Sequence, residues 1–176
     1  MFATLKTIVL VAAVFAIGAQ AETHTVTFTN LCGTGTPRLK ANGVTLSTGG
    51  AYTSNGPLKS AIAYLDVGCG DNGEGCTMIE TTLVNPTTAG SGSSTDITLI
   101  SPHSFSVTTG FGYYNGCDGA GADCKEYLPN SEFSVEAQVF LGTSASCSTA
   151  FHSDGDTSVQ VACQTDNVNL AITFCD

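Results

Sequence analysis

Glu80 and Asp96 are the residues of this 176-residue chain whose types and setting best suit chemistry. Each sits in a segment of alternating apolar residues, Thr77–Val84 and Thr95–Ser101. In the first, Ile79 and Leu83 share one face, and Met78, Glu80 and Thr82 share the other. In the second, Ile97 and Leu99 share one face, and Asp96 and Thr98 the other. If the connection over 85–94 makes these segments antiparallel neighbours, both carboxylates leave the sheet on one side. Such a pair can act as acid and base, or as acid and nucleophile, on a glycosidic bond, and their separation decides which. The competing expectation is two solvated strand carboxylates.

A second chemistry lies at Glu22-Thr23-His24. If the chain is processed to begin at Glu22, its amine, two amide nitrogens and the His24 ring can wrap Cu(II) in a square. If it begins at His24, the amine and ring of that residue chelate copper, with His103 or His152 as a further ligand. The competing expectation is an incidental His at a frayed terminus. His103, beside Pro102, reads as a polar turn residue. No Gly-x-Ser-x-Gly elbow and no His-Glu-x-x-His helix occurs, and no cofactor is expected. Asp118, Asp123 and Glu126, and Asp154 with Asp156, have the hardness for calcium but not the spacing of an EF-hand loop, so they read as solvated loop acids. There is no Trp, so stacking on a sugar falls to Tyr52, Tyr64, Tyr113, Tyr114 or Tyr127. Alternation after Phe111 sends one of Tyr113 and Tyr114 inward and the other outward.

The elements that must position these residues are strands. Thr, Ser, Gly and Val are abundant while Lys and Arg are scarce, and no segment keeps a helical period. His24–Asn30, Gly43–Ser47, Ala61–Asp66, Ser104–Thr109, Glu132–Leu141, Ser158–Cys163 and Val168–Phe174 join the two segments above as expected strands. Gly49-Gly50, Asn55-Gly56-Pro57, Asp71-Asn72-Gly73 and Asn115-Gly116 punctuate them as turns. Many short strands at this spacing predict an all-β sandwich or barrel.

The first 21 residues read as a signal peptide: Lys6, an apolar run to Ala19, then the small-x-small site Ala19-Gln20-Ala21. Residues 22–176 are then one domain with a real core. No later segment is apolar enough for a membrane span. The formal charge of −10, without a basic patch, argues against nucleic acid and anionic lipid as partners. Eight cysteines, Cys32, Cys69, Cys76, Cys117, Cys124, Cys147, Cys163 and Cys175, follow the leader. An even set in a secretory setting reads as four disulfides, although spacing alone leaves on the order of a hundred pairings open. The protein is therefore expected outside the cell or in a cell wall, as a monomer by default.

Several segments, in order, resemble the thaumatin-like family. HTVTFTNLC resembles its first strand. CTMIETTLVN resembles the strand that carries the family's cleft Glu, at Glu80. TDITLISPHSF resembles the next strand, with Asp96 at the cleft Asp. GCDGAGADC resembles the paired-cysteine loop, CSTAFHSDGDTSVQVAC the segment running to a Cys-ended strand, and NLAITFCD the C-terminal strand. The resemblance implies a thaumatin-like β-sandwich in small, reduced-cysteine form. It also implies the pairing Cys32–Cys175, Cys69–Cys76, Cys117–Cys163 and Cys124–Cys147. The family's acidic cleft uses one Arg, one Glu and three Asp. Glu80 and Asp96 match two of these, Ser101 and Thr149 replace two Asp, and the Arg has no counterpart. Members with full clefts bind, and some hydrolyse, β-1,3-glucan. The expected function is thus binding of extracellular polysaccharide, β-1,3-glucan or fungal cell wall, on a face formed by Glu80, Asp96, Thr98, Ser101, Tyr113 and Tyr114. The alternatives are a weak endo-β-1,3-glucanase with Glu80 as acid and Asp96 as base or nucleophile, a Cu(II)-binding protein using His24, and a defence protein that acts without glycans.

Overall fold

The computed structural model describes residues 21–125 and 147–176. Most of the leader, the expected strand Glu132–Leu141, Glu126 and Tyr127 lie outside them. Within the described residues the fold is all-β, with twelve strands and no helix. In chain order they are β1 (Thr23–Asn30), β2 (Thr36–Ala41), β3 (Val44–Ser47), β4 (Tyr52–Asn55), β5 (Leu58–Asp66), β6 (Met78–Leu83), β7 (Ser93–Thr98), β8 (Thr109–Tyr114), β9 (Gly121–Cys124), β10 (Ala150–Phe151), β11 (Val161–Cys163) and β12 (Asn169–Phe174).

Two sheets result. The five-stranded sheet runs β4-β1-β12-β8-β9. The seven-stranded sheet runs β10-β7-β6-β5-β2-β3, with β11 also pairing β7. Alternation decides which side of each strand is buried. From the first sheet Val26, Phe111, Leu170, Ile172 and Phe174 enter the core; from the second come Leu39, Ala63, Ile79, Leu83 and Ile97. Tyr113 crosses between the layers, its hydroxyl 2.9 Å from Thr95 Oγ1 and 3.0 Å from the Val161 carbonyl. The expected inward–outward split of Tyr113 and Tyr114 is therefore found, with Tyr113 inward.

The first and last strands are parallel neighbours, Val26 opposite Leu170 and Asn30 opposite Phe174. Just beyond that register Cys32 pairs with Cys175, at a Cα separation of 5.1 Å. Cys69–Cys76, Cys117–Cys163 and Cys124–Cys147 also pair, with Cα separations of 5.8, 5.9 and 5.1 Å. All four match the expected pairing.

Some strands differ from expectation. Ser104–Thr109 is not a strand, because Thr77 and Ser106 exchange side-chain-to-backbone hydrogen bonds of 3.1 and 3.0 Å in place of a ladder. The strand begins at Thr109 instead and runs through two glycines. Such closeness is required here: a Cβ on Gly121, in the facing strand β9, would collide with the Phe111 carbonyl.

Candidate functional site

Strands β6 and β7 pair antiparallel, and the register sets Glu80 directly opposite Asp96. Both side chains leave the outer face of the seven-stranded sheet, because Ile79, Leu83 and Ile97 alternate into the core. Directly opposed residues bring their Cβ atoms to about 5 Å. The same row continues through Ile62 on β5 to Lys40 on β2. The conditional expectation that the two carboxylates share one side is met.

Two segments raise walls on this face. One is the loop closed by Cys69–Cys76. Lys40, only 3% exposed, donates from Nζ to the Asp71 carbonyl at 2.5 Å and pairs with its carboxylate at 2.8 Å, while Tyr64 donates to the same carbonyl at 2.8 Å. Gly73 presses onto Met78 and Tyr64 at a φ of +79°, where a Cβ has neither the room nor the backbone preference. The other wall comes from the edge of β7. There β11 pairs Ser93 to Thr95, and β10 pairs Ile97 and Thr98. Asp96 falls in the gap between the two partners, and Gln160, immediately before β11, lies beside it.

Against the second wall lies a groove of roughly 260 Å³, lined by Ser60, Ile62, Glu80, Thr82, Ser94, Asp96 and Gln160 among others, with the 69–76 loop outside its lining. Glu80 is exposed. Asp96 is only 7% exposed, and its Oδ1 is buried with no hydrogen-bond partner among the described residues. Burial first, and the facing Glu80 second, push its carboxyl up to about 6, against a lowering pull from Gln160. A proton on Asp96 removes the charge that the unpartnered oxygen cannot disperse.

The groove also carries backbone distortion. Strand β5 bulges between Leu58 and Ala61, and Ser60 adopts a φ of +50° there. Its amide donates to Thr82 Oγ1 at 3.1 Å instead of to the ladder. A non-glycine residue in that region costs about 1–2 kcal/mol, and such positions cluster at binding sites.

The other expected site residues lie elsewhere. Tyr113 is a correction: at 3% exposure, with its hydroxyl bound inside the core and its proton held up to about 12 by burial, it is a packing residue of the core rather than part of an outer binding face. Tyr114 faces outward from the other sheet, so the pair is not beside the carboxylates. Thr98 is also a correction, being 2% exposed with its Oγ1 accepting from the Ile100 amide at 3.2 Å. Ser101 is exposed in the turn after β7 but does not line the groove. His24 is the third correction. It is fully buried, Nδ1 lies 2.7 Å from the Val168 carbonyl and Nε2 lies 3.0 Å from Glu22 Oε1, so neither ring nitrogen is open to copper. His103 and His152 likewise rest on backbone carbonyls, of Gly73 and Cys147. Among the described residues no three of His, Cys, Asp and Glu converge to hold a metal. The loop acids Asp118 and Asp156 cap backbone amides of their own turns.

Sequence reasoning missed Ser60 and Gln160. No signal in the chain marks Gln160, since its role depends on β11 joining β7 from a distant segment. Ser60 was hidden by the bulge, which breaks the alternation of β5.

No family model matches the chain, and no curated protein matches it. No helix among the described residues is long and apolar enough to cross a membrane.

Proposed function

We propose that this protein is secreted and binds extracellular polysaccharide in the Glu80–Asp96 groove. Asp96 carries this reading: a carboxyl group buried at the rim of an open groove, with one oxygen unpartnered among the described residues and a second carboxylate facing it. Side chains of Ser60, Thr82, Ser94 and Gln160 add hydroxyls and an amide along the same wall. Such a mixture of donors and acceptors on a rigid sheet suits the hydroxyls of a sugar chain. The resemblance to thaumatin-like proteins points to β-1,3-glucan or fungal cell wall as the material. Four disulfides fit an extracellular setting. The test is co-sedimentation with insoluble β-1,3-glucan and with fungal cell wall. Wild type is retained and Glu80→Gln is released at lower salt; wild type left in the supernatant with both materials overturns the proposal.

Direct opposition of the carboxylates favours a second reading, weak glycoside hydrolysis. Opposed Cβ atoms at about 5 Å let the two carboxyl groups reach the separation of about 5–5.5 Å that a retaining pair uses. The environments support roles in the reverse of the sequence expectation, with buried Asp96, its carboxyl raised to about 6, as the acid and exposed Glu80 as the nucleophile. Release of reducing sugar from β-1,3-glucan, abolished in both Glu80→Gln and Asp96→Asn, is the outcome this reading requires.

A further inference from the structure

We propose that the Glu80–Asp96 groove selects saccharides bearing a protonated amine, such as oligomers of β-1,4-linked glucosamine, over neutral or N-acetylated ones. The inference rests on the groove being a glycan site and concerns which glycan it takes.

The observation behind it is an uncompensated pair of acids. Among the described residues, Arg38 pairs with Asp66 at 3.1 Å, Lys40 with Asp71 at 2.8 Å, and Lys125 with Asp123 at 2.7 Å, while Lys59, next to Ser60, acts on Glu22. Neither Glu80 nor Asp96 has an ion-pair partner among these residues, and residues 126–146 contain no Lys, Arg or His. Two buried side-chain oxygens lack a hydrogen-bond partner among the described residues, on Asp96 and on Asp123. Asp123 already holds the Lys125 ammonium through its other oxygen. Asp96 has another acid opposite it and the neutral Gln160 amide beside it, with no cation paired to it among the described residues.

A ligand ammonium supplies what the groove lacks. It brings one positive charge and three donors, enough for Glu80, Asp96 and a neighbouring hydroxyl of Ser60 or Ser94. A sugar hydroxyl brings one proton and leaves the repulsion between the carboxylates in place. Acetylation of the amine removes the charge while keeping the chain length. The overall charge of −10 draws a cationic polymer in from a distance. Among the described residues no exposed aromatic ring lines the groove, so from them stacking on a pyranose face does not compete as the source of selectivity.

Proton linkage gives the selection a signature. The groups facing Asp96 are Glu80 from β6 and the neutral Gln160 before β11; behind the sheet the Tyr113 phenol keeps its proton up to about 12. An ammonium beside Asp96 favours the ionised carboxylate, so binding expels a proton below about pH 6. Affinity for the amine therefore climbs as pH rises toward 6, then falls once the amine itself loses its proton. A neutral glycan follows no such curve.

Titration calorimetry of the whole secreted protein with three soluble oligomers of equal length tests this: β-1,4-glucosamine, β-1,4-N-acetylglucosamine and β-1,3-glucose. Expected is a preference for the glucosamine oligomer of about tenfold or more, the size of one or two charge-assisted hydrogen bonds, with similar losses in Glu80→Gln and Asp96→Asn. Circular dichroism of both variants confirms that they fold. Equal binding of acetylated and free oligomers, or preference for the glucose oligomer, overturns the selectivity and leaves glycan binding standing. Glucosamine binding unchanged in both folded variants also overturns it, because attraction to net charge alone then suffices. No binding of any oligomer or of insoluble glucan overturns the glycan site itself.

Discussion

Glu80 and Asp96 face each other in one register pair of β6 and β7, yet Glu80 is exposed while Asp96 is 7% exposed. Two identical functional groups at one level of a sheet therefore meet different solvents. The asymmetry comes from the edge of β7, where Asp96 sits between two short partner strands under Gln160. Glu80, one strand inward, stays exposed.

That asymmetry dictates a pH dependence of stability. The folded carboxyl of Asp96 titrates at about 6, above its usual 3.8. The folded state binds this proton more tightly than the unfolded state, so the contribution is complete below about pH 4 and is lost as pH rises through 6. At about 1.4 kcal/mol per unit the loss is at most about 3 kcal/mol, and solvent around Glu80 reduces it. Asp96→Asn removes the loss. The variant is expected to exceed wild type by about 1–2 kcal/mol at pH 7 and to match it near pH 4. Urea midpoints across this range check it; a difference that does not vary with pH refutes it. Glu22 and Asp66 titrate below the usual carboxylate range and cancel in the comparison.

The Cys32–Cys175 bridge spans 143 positions, whereas Cys69–Cys76 spans seven. Chain entropy gives the long loop about 5 kcal/mol and the short one about 2.5 kcal/mol. Replacing both cysteines of the long bridge by Ser is therefore expected to lower stability about twice as much as the same change at the short bridge. Denaturant titration of the two double variants decides it, and equal losses would contradict the loop-length argument.

How much of this was legible in the sequence depends on the range of the interactions. The Glu80–Asp96 pairing was readable because two alternating segments lie close along the chain, with a turn-rich connection between them. Alternation also gave the faces of Ile79, Leu83 and Ile97. The burial of Asp96 was not readable, since it is imposed by β10, β11 and Gln160, far along the chain. Strand β2 was missed because Pro37, Arg38 and Lys40 spoil its composition. The structure tolerates Pro37 because β3 pairs only with Leu39 to Ala41, leaving no ladder bond for the missing amide on that edge. His24 looked like a frayed terminus or a ligand, and became a buried ring once β12 aligned Val168 with it.

Lys40 and Asp71 make a pair of very unequal exposure, with side chains 4% and 93% exposed. The Asp71 carboxylate is solvated and adds little, whereas its backbone carbonyl receives both Lys40 and Tyr64. Asp71→Asn is expected to cost less than about 0.5 kcal/mol, since the carbonyl remains. Lys40→Met leaves that part-buried acceptor with one donor fewer and is expected to cost about 1–3 kcal/mol. Hydrogen exchange of the 69–76 amides should speed up in the second variant only; equal acceleration in both would place the work on the carboxylate.

Ser60 joins stability and binding at one residue. Its φ of +50° suits glycine, and its amide is held by Thr82 at 3.1 Å, so the bulge persists without the side chain. Ser60→Gly relieves about 1 kcal/mol of backbone strain, partly offset by the greater freedom of glycine in the unfolded chain. Ser60→Val adds a branched side chain in a conformation it resists and is expected to lose about 1–2 kcal/mol. If the bulge exists to aim a hydroxyl into the groove, Ser60→Gly holds or gains stability while glycan affinity falls severalfold. Thermal unfolding and glycan titration on the same preparation test both halves. A Ser60→Gly variant that loses stability shows the backbone to be relaxed at this position, and one that keeps full affinity shows the hydroxyl to be idle.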